Sequence, residues 1–182
     1  MNYKPIDGTL VIGLGHKARH GKDSAAKYLM LRYGAQKFSF ASGLYSVARC
    51  CFNMTQKDPR LLQALGTEVG RSHDNDRWIR NLYWQIMDEK PAVAVVPDCR
   101  FPNEFDFIKA VGGVCIKVAR FNVDGTPFVA PDRPADHPSE TALDDCEDWD
   151  AQMGCRTGDL ELLYAKLDVF MRDMDILGRF KG

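Results

Sequence analysis

Gly13-Leu14-Gly15-His16-Lys17-Ala18-Arg19-His20-Gly21-Lys22-Asp23-Ser24 follows the apolar run from Leu10 to Leu14 and opens a segment whose apolar residues recur at helical spacing. A strand, a glycine-bearing loop, Gly-Lys and a helix in that order make a phosphate cradle. Backbone N–H groups of such a loop point at a polyphosphate, the helix N-terminus adds partial positive charge, and the lysine reaches the outer phosphates. Nucleoside triphosphate binding is the first implication. The stretch departs from G-x-x-x-x-G-K-[ST] twice. Counting back from Gly21 puts the first motif glycine at position 16, where His16 stands beside Gly15. Either the loop is one residue longer or His16 itself takes the turn, and histidine is among the residues less penalised at positive φ. Asp23 replaces the hydroxyl residue that ordinarily meets Mg²⁺. A carboxylate is also a hard oxygen ligand, so Asp23 takes that place directly or through water, with Ser24 behind it.

The 182 residues fit a single domain large enough for a full core. With 24 basic and 25 acidic residues the net charge is -1, which gives no general attraction to nucleic acid or an anionic membrane, so any anion site is local. The six cysteines show no C-x-x-C spacing and Cys50 adjoins Cys51, which fits reduced thiols and a cytoplasmic location. Met1 to Asp7 lacks the apolar core of a signal peptide, and no apolar run approaches the ~20 residues of a membrane span.

Beyond the loop, a helix is expected from Lys22 to Tyr33, with Ala25, Ala26, Leu29 and Met30 on one face and Gly34 as its stop. Gln36 to Phe40 reads as a strand. Ser42 is placed to cap a helix carrying Leu44, Val47, Ala48 and Cys51, Asp58-Pro59 starts another with Leu61, Leu62, Leu65 and Val69, and Asp76 to Met87 forms a third. Ala92 to Val96 is a valine-rich run of the kind buried on both faces of a parallel sheet. Pro102 opens a helix that Gly112-Gly113 ends, and Val114 to Ala119 is a further strand. Between Arg120 and Pro138 no apolar period appears and four prolines do, which predicts a long exposed, lid-like loop. Leu160, Leu163, Leu167, Phe170, Met171 and Met174 mark the covered face of a C-terminal helix. Strands alternating with helices imply a doubly wound α/β fold.

Asp98 stands at the carboxyl end of the buried valine strand, where open α/β sheets bind ligands, and is followed by Arg100, Asn103 and Glu104. An acidic residue there, beside a phosphate loop, is suited to hold Mg²⁺ through water. The alternative is local: Asp98 caps the Pro102 helix and Arg100 pairs with Glu104.

Four further blocks resemble one family. Phe38-Ser39-Phe40-Ala41, Leu62-Gln63-Ala64-Leu65-Gly66-Thr67-Glu68-Val69-Gly70-Arg71, Asp98-Cys99-Arg100-Phe101-Pro102-Asn103-Glu104 and His137-Pro138-Ser139-Glu140 occur in the order found in phage-type deoxynucleoside monophosphate kinases. Gly21-Lys22-Asp23-Ser24 is similar to their Gly-Lys-Asp-[Ser/Thr] form of the phosphate loop. The resemblance runs from about residue 9 to 165, and its most specific piece is Arg-Phe-Pro-Asn-Glu. This sequence departs from the family pattern at His16, Cys99 and Ser42-Gly43. The resemblance implies a P-loop kinase-type three-layer α/β sandwich with a central, mostly parallel sheet and a helical lid and substrate-binding region. It also implies transfer of the ATP γ-phosphoryl, with Mg²⁺, to a deoxynucleoside monophosphate.

A nucleoside monophosphate has a second phosphate pKa of ~6, so its attacking oxygen is ionised at neutral pH and the site needs cations rather than a base. Lys22, Asp98 and Arg100 are the expected catalytic residues. Gly15, Lys17, Arg19, His20, Gly21, Lys22, Asp23, Ser24, Arg120 and Arg133 are expected around ATP, Arg133 being delivered by lid closure. Phe40, Glu68, Arg71, Trp78, Arg100, Asn103, Glu104, His137 and Glu140 are expected around the acceptor, and Asp23 and Asp98 at the metal. Partners are small nucleotides, with no nucleic acid and no membrane, and a homodimer is allowed. Rival readings are a kinase for another small molecule or modified nucleotide, and a nucleotide-binding protein without turnover. The guanine-reading Asn-Lys-x-Asp of switch GTPases does not occur.

Overall fold

All six residues of β1 (Leu10–Gly15) are buried, as a strand covered on both faces requires. Leu10, Ile12 and Leu14 join one apolar cluster with α1 (Lys22–Tyr33) and α7 (Leu160–Ile176), through Ala25, Leu29, Leu163 and Leu167. Val11 turns to the opposite cluster, with α4 (Arg77–Glu89) and α5 (Pro102–Ala110). β3 (Val93–Val96) alternates in the same way, Val93 and Val95 to one side and Ala94 and Val96 to the other. These side chains are the three layers of the sandwich. Leu163 and Leu167 are fully buried, each stabilising the fold by roughly 1.5–3 kcal/mol.

The computed structural model describes residues 3–66, 74–131, 134–176 and 178. Its sheet has the order β2-β3-β1-β4-β5, with β2 (Gln36–Lys37), β4 (Val114–Phe121) and β5 (Ala151–Arg156) completing it, and every neighbouring pair is parallel. β1 and β3 are adjacent, yet the chain leaves β1 toward the α1 face and β3 toward the α5 face. The crevice between their carboxyl ends is the switch point where such sheets bind ligands. α2 (Ser42–Phe52) and α3 (Pro59–Gln63) stand off the sheet and share a small cluster of Ala48, Met54, Leu62 and Leu65.

Several sequence expectations are corrected. β2 stops at Lys37 instead of Phe40 because only the Phe38 N–H continues the ladder, to Val95, after which Asp98 captures the Phe40 and Ala41 N–H groups and turns the chain. β5 was not anticipated: it is an edge strand with only Met153 and Cys155 buried, too few apolar residues for a visible alternation. The segment expected to be an unstructured loop after Ala119 begins with two more residues of β4. It then folds back through Phe128 N–H to the Arg120 carbonyl, and its last residue, Pro138, starts α6 (Pro138–Thr141). Met30, Val47, Cys51 and Leu160 are exposed or half exposed despite their helical spacing. α1 needs only the narrow strip of Ala25, Ala26 and Leu29 to meet the sheet. Ser42 is the first residue of α2 rather than its cap, and its hydroxyl donates to Gln85. Val69 lies outside the described residues. Among the described residues no helix is long and apolar enough to cross a membrane.

Candidate active site

Between Gly15 and Gly21 the chain makes the loop anticipated from the sequence, and its length is now defined. A Cβ on Gly15 would lie 2.3 Å from Cη2 of Trp149, so this position accepts no side chain. The left-handed residues of the turn are Arg19, at φ 58°, and Gly21, at φ 98°; His16 is not among them. The loop is therefore one residue longer than the common motif, with Gly15 as its first glycine. Gly15→Ala should force a buried indole aside and lower Tm by roughly 5–10 °C. An unchanged melting curve would remove Trp149 as the reason for this glycine.

His16 is buried, with Nε2 2.8 Å from Oδ1 of Asp144 but out of line for a hydrogen bond. Lys17 Nζ reaches the same oxygen at 2.8 Å. Burial lowers the His16 pKa to about 4, Asp144 opposing the shift and Lys17 and Lys117 adding to it. The unfolded chain thus binds a proton near pH 6.5 that the folded protein refuses until about pH 4. This contribution to stability is intact above pH 6.5 and is lost as pH falls through that window. Urea unfolding at pH 7.5 and pH 5 should show wild type losing more stability than His16→Asn, by about 1–2 kcal/mol; equal losses would contradict the depressed pKa.

His20 and Arg120 brace the loop from behind. Nδ1 of His20 accepts the Arg120 N–H at 3.3 Å, which leaves Nε2–H to donate to the Phe128 carbonyl at 3.1 Å. The Arg120 guanidinium donates to Thr157 Oγ1 and to the Arg19 carbonyl, and lies 3.9 Å over the Phe128 ring. Neither borders the cavity in front of the loop. Glu140, also buried, accepts the Ala18 N–H at 2.7 Å.

That cavity, about 320 Å³, is bordered by Arg19, Gly21, Lys22, Asp23, Ser24, Lys37, Ser39, Pro97, Asp98 and Arg100. Lys22 opens α1 directly after left-handed Gly21, and its buried side chain curls back so that Nζ donates to the Lys17 carbonyl. Asp23 is exposed and pairs with Lys37 at 2.8 Å. A second cleft of about 800 Å³ adjoins it, with Phe40, Leu44, Tyr45, Leu62, Trp78, Glu104, His137 and Ser139 among its walls. Ser39, Asp98 and Arg100 border both.

The shared wall is rigidly built. Asp98 accepts from Ser39 Oγ–H at 2.6 Å, Ala41 N–H at 3.1 Å and Phe40 N–H at 3.1 Å, so it holds the entry to α2 rather than capping α5. The Arg100 N–H donates to Glu104 at 2.8 Å, while its guanidinium pairs with Glu140 at 2.8 Å. The local alternative is thereby corrected: Glu104 takes the backbone and Glu140 takes the side chain. Trp78 donates its indole N–H to the Gly66 carbonyl at 3.3 Å and turns its ring to the larger cleft. His137 accepts the Ser139 N–H at the start of α6. The Asn103 amide is directed away, to the Asn75 carbonyl and Asp76. Glu68, Arg71 and Arg133 lie outside the described residues.

Sequence reasoning missed Lys37, Ser39, Asp144 and Trp149. Ser39 stood within a quoted block but carried no spacing signal, and Asp144 sits in an acidic run that reads as solvated surface. Among the described residues there is no group of three or more His, Cys, Asp or Glu that could hold a metal unaided.

No family model matches the chain. A protein of Acanthamoeba polyphaga mimivirus, provisionally named a deoxynucleotide monophosphate kinase, is 31% identical over 176 residues, covering 78% of this chain and 86% of that protein. The deoxynucleoside-5'-monophosphate kinase of Escherichia phage T5 is 33% identical over 85 residues, 46% of this chain and 34% of the phage protein. Together with a phosphate loop whose cavity shares a wall with a second, larger cleft, this similarity identifies the chain as a member of the deoxynucleoside monophosphate kinase family.

Proposed function

We propose that this protein transfers the γ-phosphoryl group of ATP to the 5'-phosphate of a deoxynucleoside monophosphate, releasing ADP and the deoxynucleoside diphosphate. The observation that carries the reading is the shared wall: Arg100 and Asp98 border both the cavity in front of the phosphate loop and the larger cleft beside it. Two polyanions entering from the two sides would meet at a guanidinium. The names of the relatives supply the substrate class.

Lys22 and the N-terminus of α1 bind the β- and γ-phosphates, with Lys37 and Arg19 at the rim. Arg100 presents N–H groups to the acceptor phosphate, with Arg71 as a further cation there and Arg133 on the ATP side. No protein base is required, because the acceptor phosphate is already largely dianionic at neutral pH. Phe40, Leu44, Leu62 and Trp78 give the second cleft an apolar side for a base and sugar, which also excludes water from the transferring group.

The donor set fits Mg²⁺ rather than a metal needing a protein cage. Asp98 borders the cavity and Asp23 stands at its rim, and Mg²⁺ is ordinarily held by one or two carboxylates, substrate phosphates and water. When bound, the ion neutralises charge on the phosphate oxygens. Supplying ATP with each deoxy- and ribonucleoside monophosphate, and separating the products, tests the reading. Formation of ADP together with one or more deoxynucleoside diphosphates is expected; ADP and inorganic phosphate alone, or binding without turnover, would contradict it.

A further inference from the structure

Glu140 is 5% exposed, and its carboxylate has partners on the phosphate loop and on the wall the two cavities share. One oxygen accepts the Ala18 N–H of the phosphate loop at 2.7 Å, and the other faces Arg100 Nη1 at 2.8 Å and Ser139 Oγ at 3.4 Å. It reaches the loop from α6, 122 residues further along the chain, on a turn fixed at its start by His137. A carboxylate this buried is stable only when paired, and here the pairing joins the phosphate loop to Arg100, which borders both cavities. Arg100 in turn is held by one edge of its guanidinium while bordering both cavities.

Resting on the kinase reading above, we propose that Glu140 is the positioning residue that couples the donor and acceptor sites. It fixes the loop at Ala18 with one oxygen and sets Arg100 with the other. A guanidinium already fixed loses less rotamer freedom when a phosphate arrives, so it binds that phosphate better. Phosphates that order the loop also order Glu140, and through it Arg100. Donor and acceptor therefore bind more tightly together than apart, although Glu140 touches neither.

Glu140→Gln tests this, because a carboxamide oxygen still accepts the Ala18 N–H while the charge on the Arg100 side is gone. The measurement is the Kd of a deoxynucleoside monophosphate, by calorimetry, with and without a saturating non-hydrolysable ATP analogue. Wild type should bind the monophosphate at least about 5-fold tighter with the analogue present. In Glu140→Gln that ratio should fall to about 1, with the Kd of the analogue alone changing less than about 3-fold. A wild-type ratio near 1, a variant that keeps the wild-type ratio, or a variant that is unfolded at the assay temperature would each overturn the proposal. If wild type neither binds nor phosphorylates any deoxynucleoside monophosphate, it is the kinase reading that fails.

Discussion

Lys22→Met should leave the fold intact and reduce kcat by about 10²-fold or more. Lys22 is buried directly after left-handed Gly21, at the start of α1, and borders the cavity in front of the loop. Its ammonium donates to the Lys17 carbonyl, within the same loop. A carbonyl carries no net charge, and phosphate oxygens can replace it as the acceptor when they enter. Methionine has nearly the same length and fills the same space, so Tm should change by no more than about 3 °C. Wild-type turnover in a folded Lys22→Met protein would exclude this loop as the donor site.

Arg100→Lys carries the second large effect, and it should fall on the acceptor. A guanidinium binds a phosphate through two parallel N–H groups while a third faces Glu140; an ammonium on a flexible stem reproduces neither the fork nor the fixed edge. The KM for the deoxynucleoside monophosphate should rise about 10- to 100-fold, with the KM for ATP changing less than about 3-fold. Deoxynucleosides lacking the 5'-phosphate should be poor acceptors for wild type as well. A lesion that falls on ATP instead would move Arg100 to the donor side.

Much of this architecture was legible in the chain. Valine-rich β3 read as a doubly covered strand, the twelve residues of α1 run from Lys22 to Tyr33 with Gly34 as the expected stop, and Gly-Lys marked the phosphate loop. What escaped was determined by tertiary pairing. Gly15 looked like a displaced motif glycine until Trp149, far along the chain, supplied the reason it has no side chain. Asp98 was expected at the metal, with a cap for the helix that follows it as the alternative. Its actual partners, Ser39 to Ala41, lie some sixty residues earlier, and no local pattern encodes that distance. His20 and Arg120 were expected around ATP and Glu140 around the acceptor, yet each bonds the loop or the strand behind it; residue type and order cannot distinguish a side chain that faces phosphate from one that braces the backbone. β5 was invisible because an edge strand needs little apolar surface.

In the proposed reaction donor and acceptor phosphates meet across Arg100 in one continuous cleft, and a molecule long enough to fill both sides reports on that meeting. A dinucleoside pentaphosphate joining adenosine to a 2'-deoxynucleoside should bind at least about 100-fold tighter than ATP, since the second half binds at high effective concentration. It should compete with both ATP and the deoxynucleoside monophosphate. A pentaphosphate that binds no tighter than ATP, and displaces ATP alone, would show that the two cavities are not the two halves of one active site.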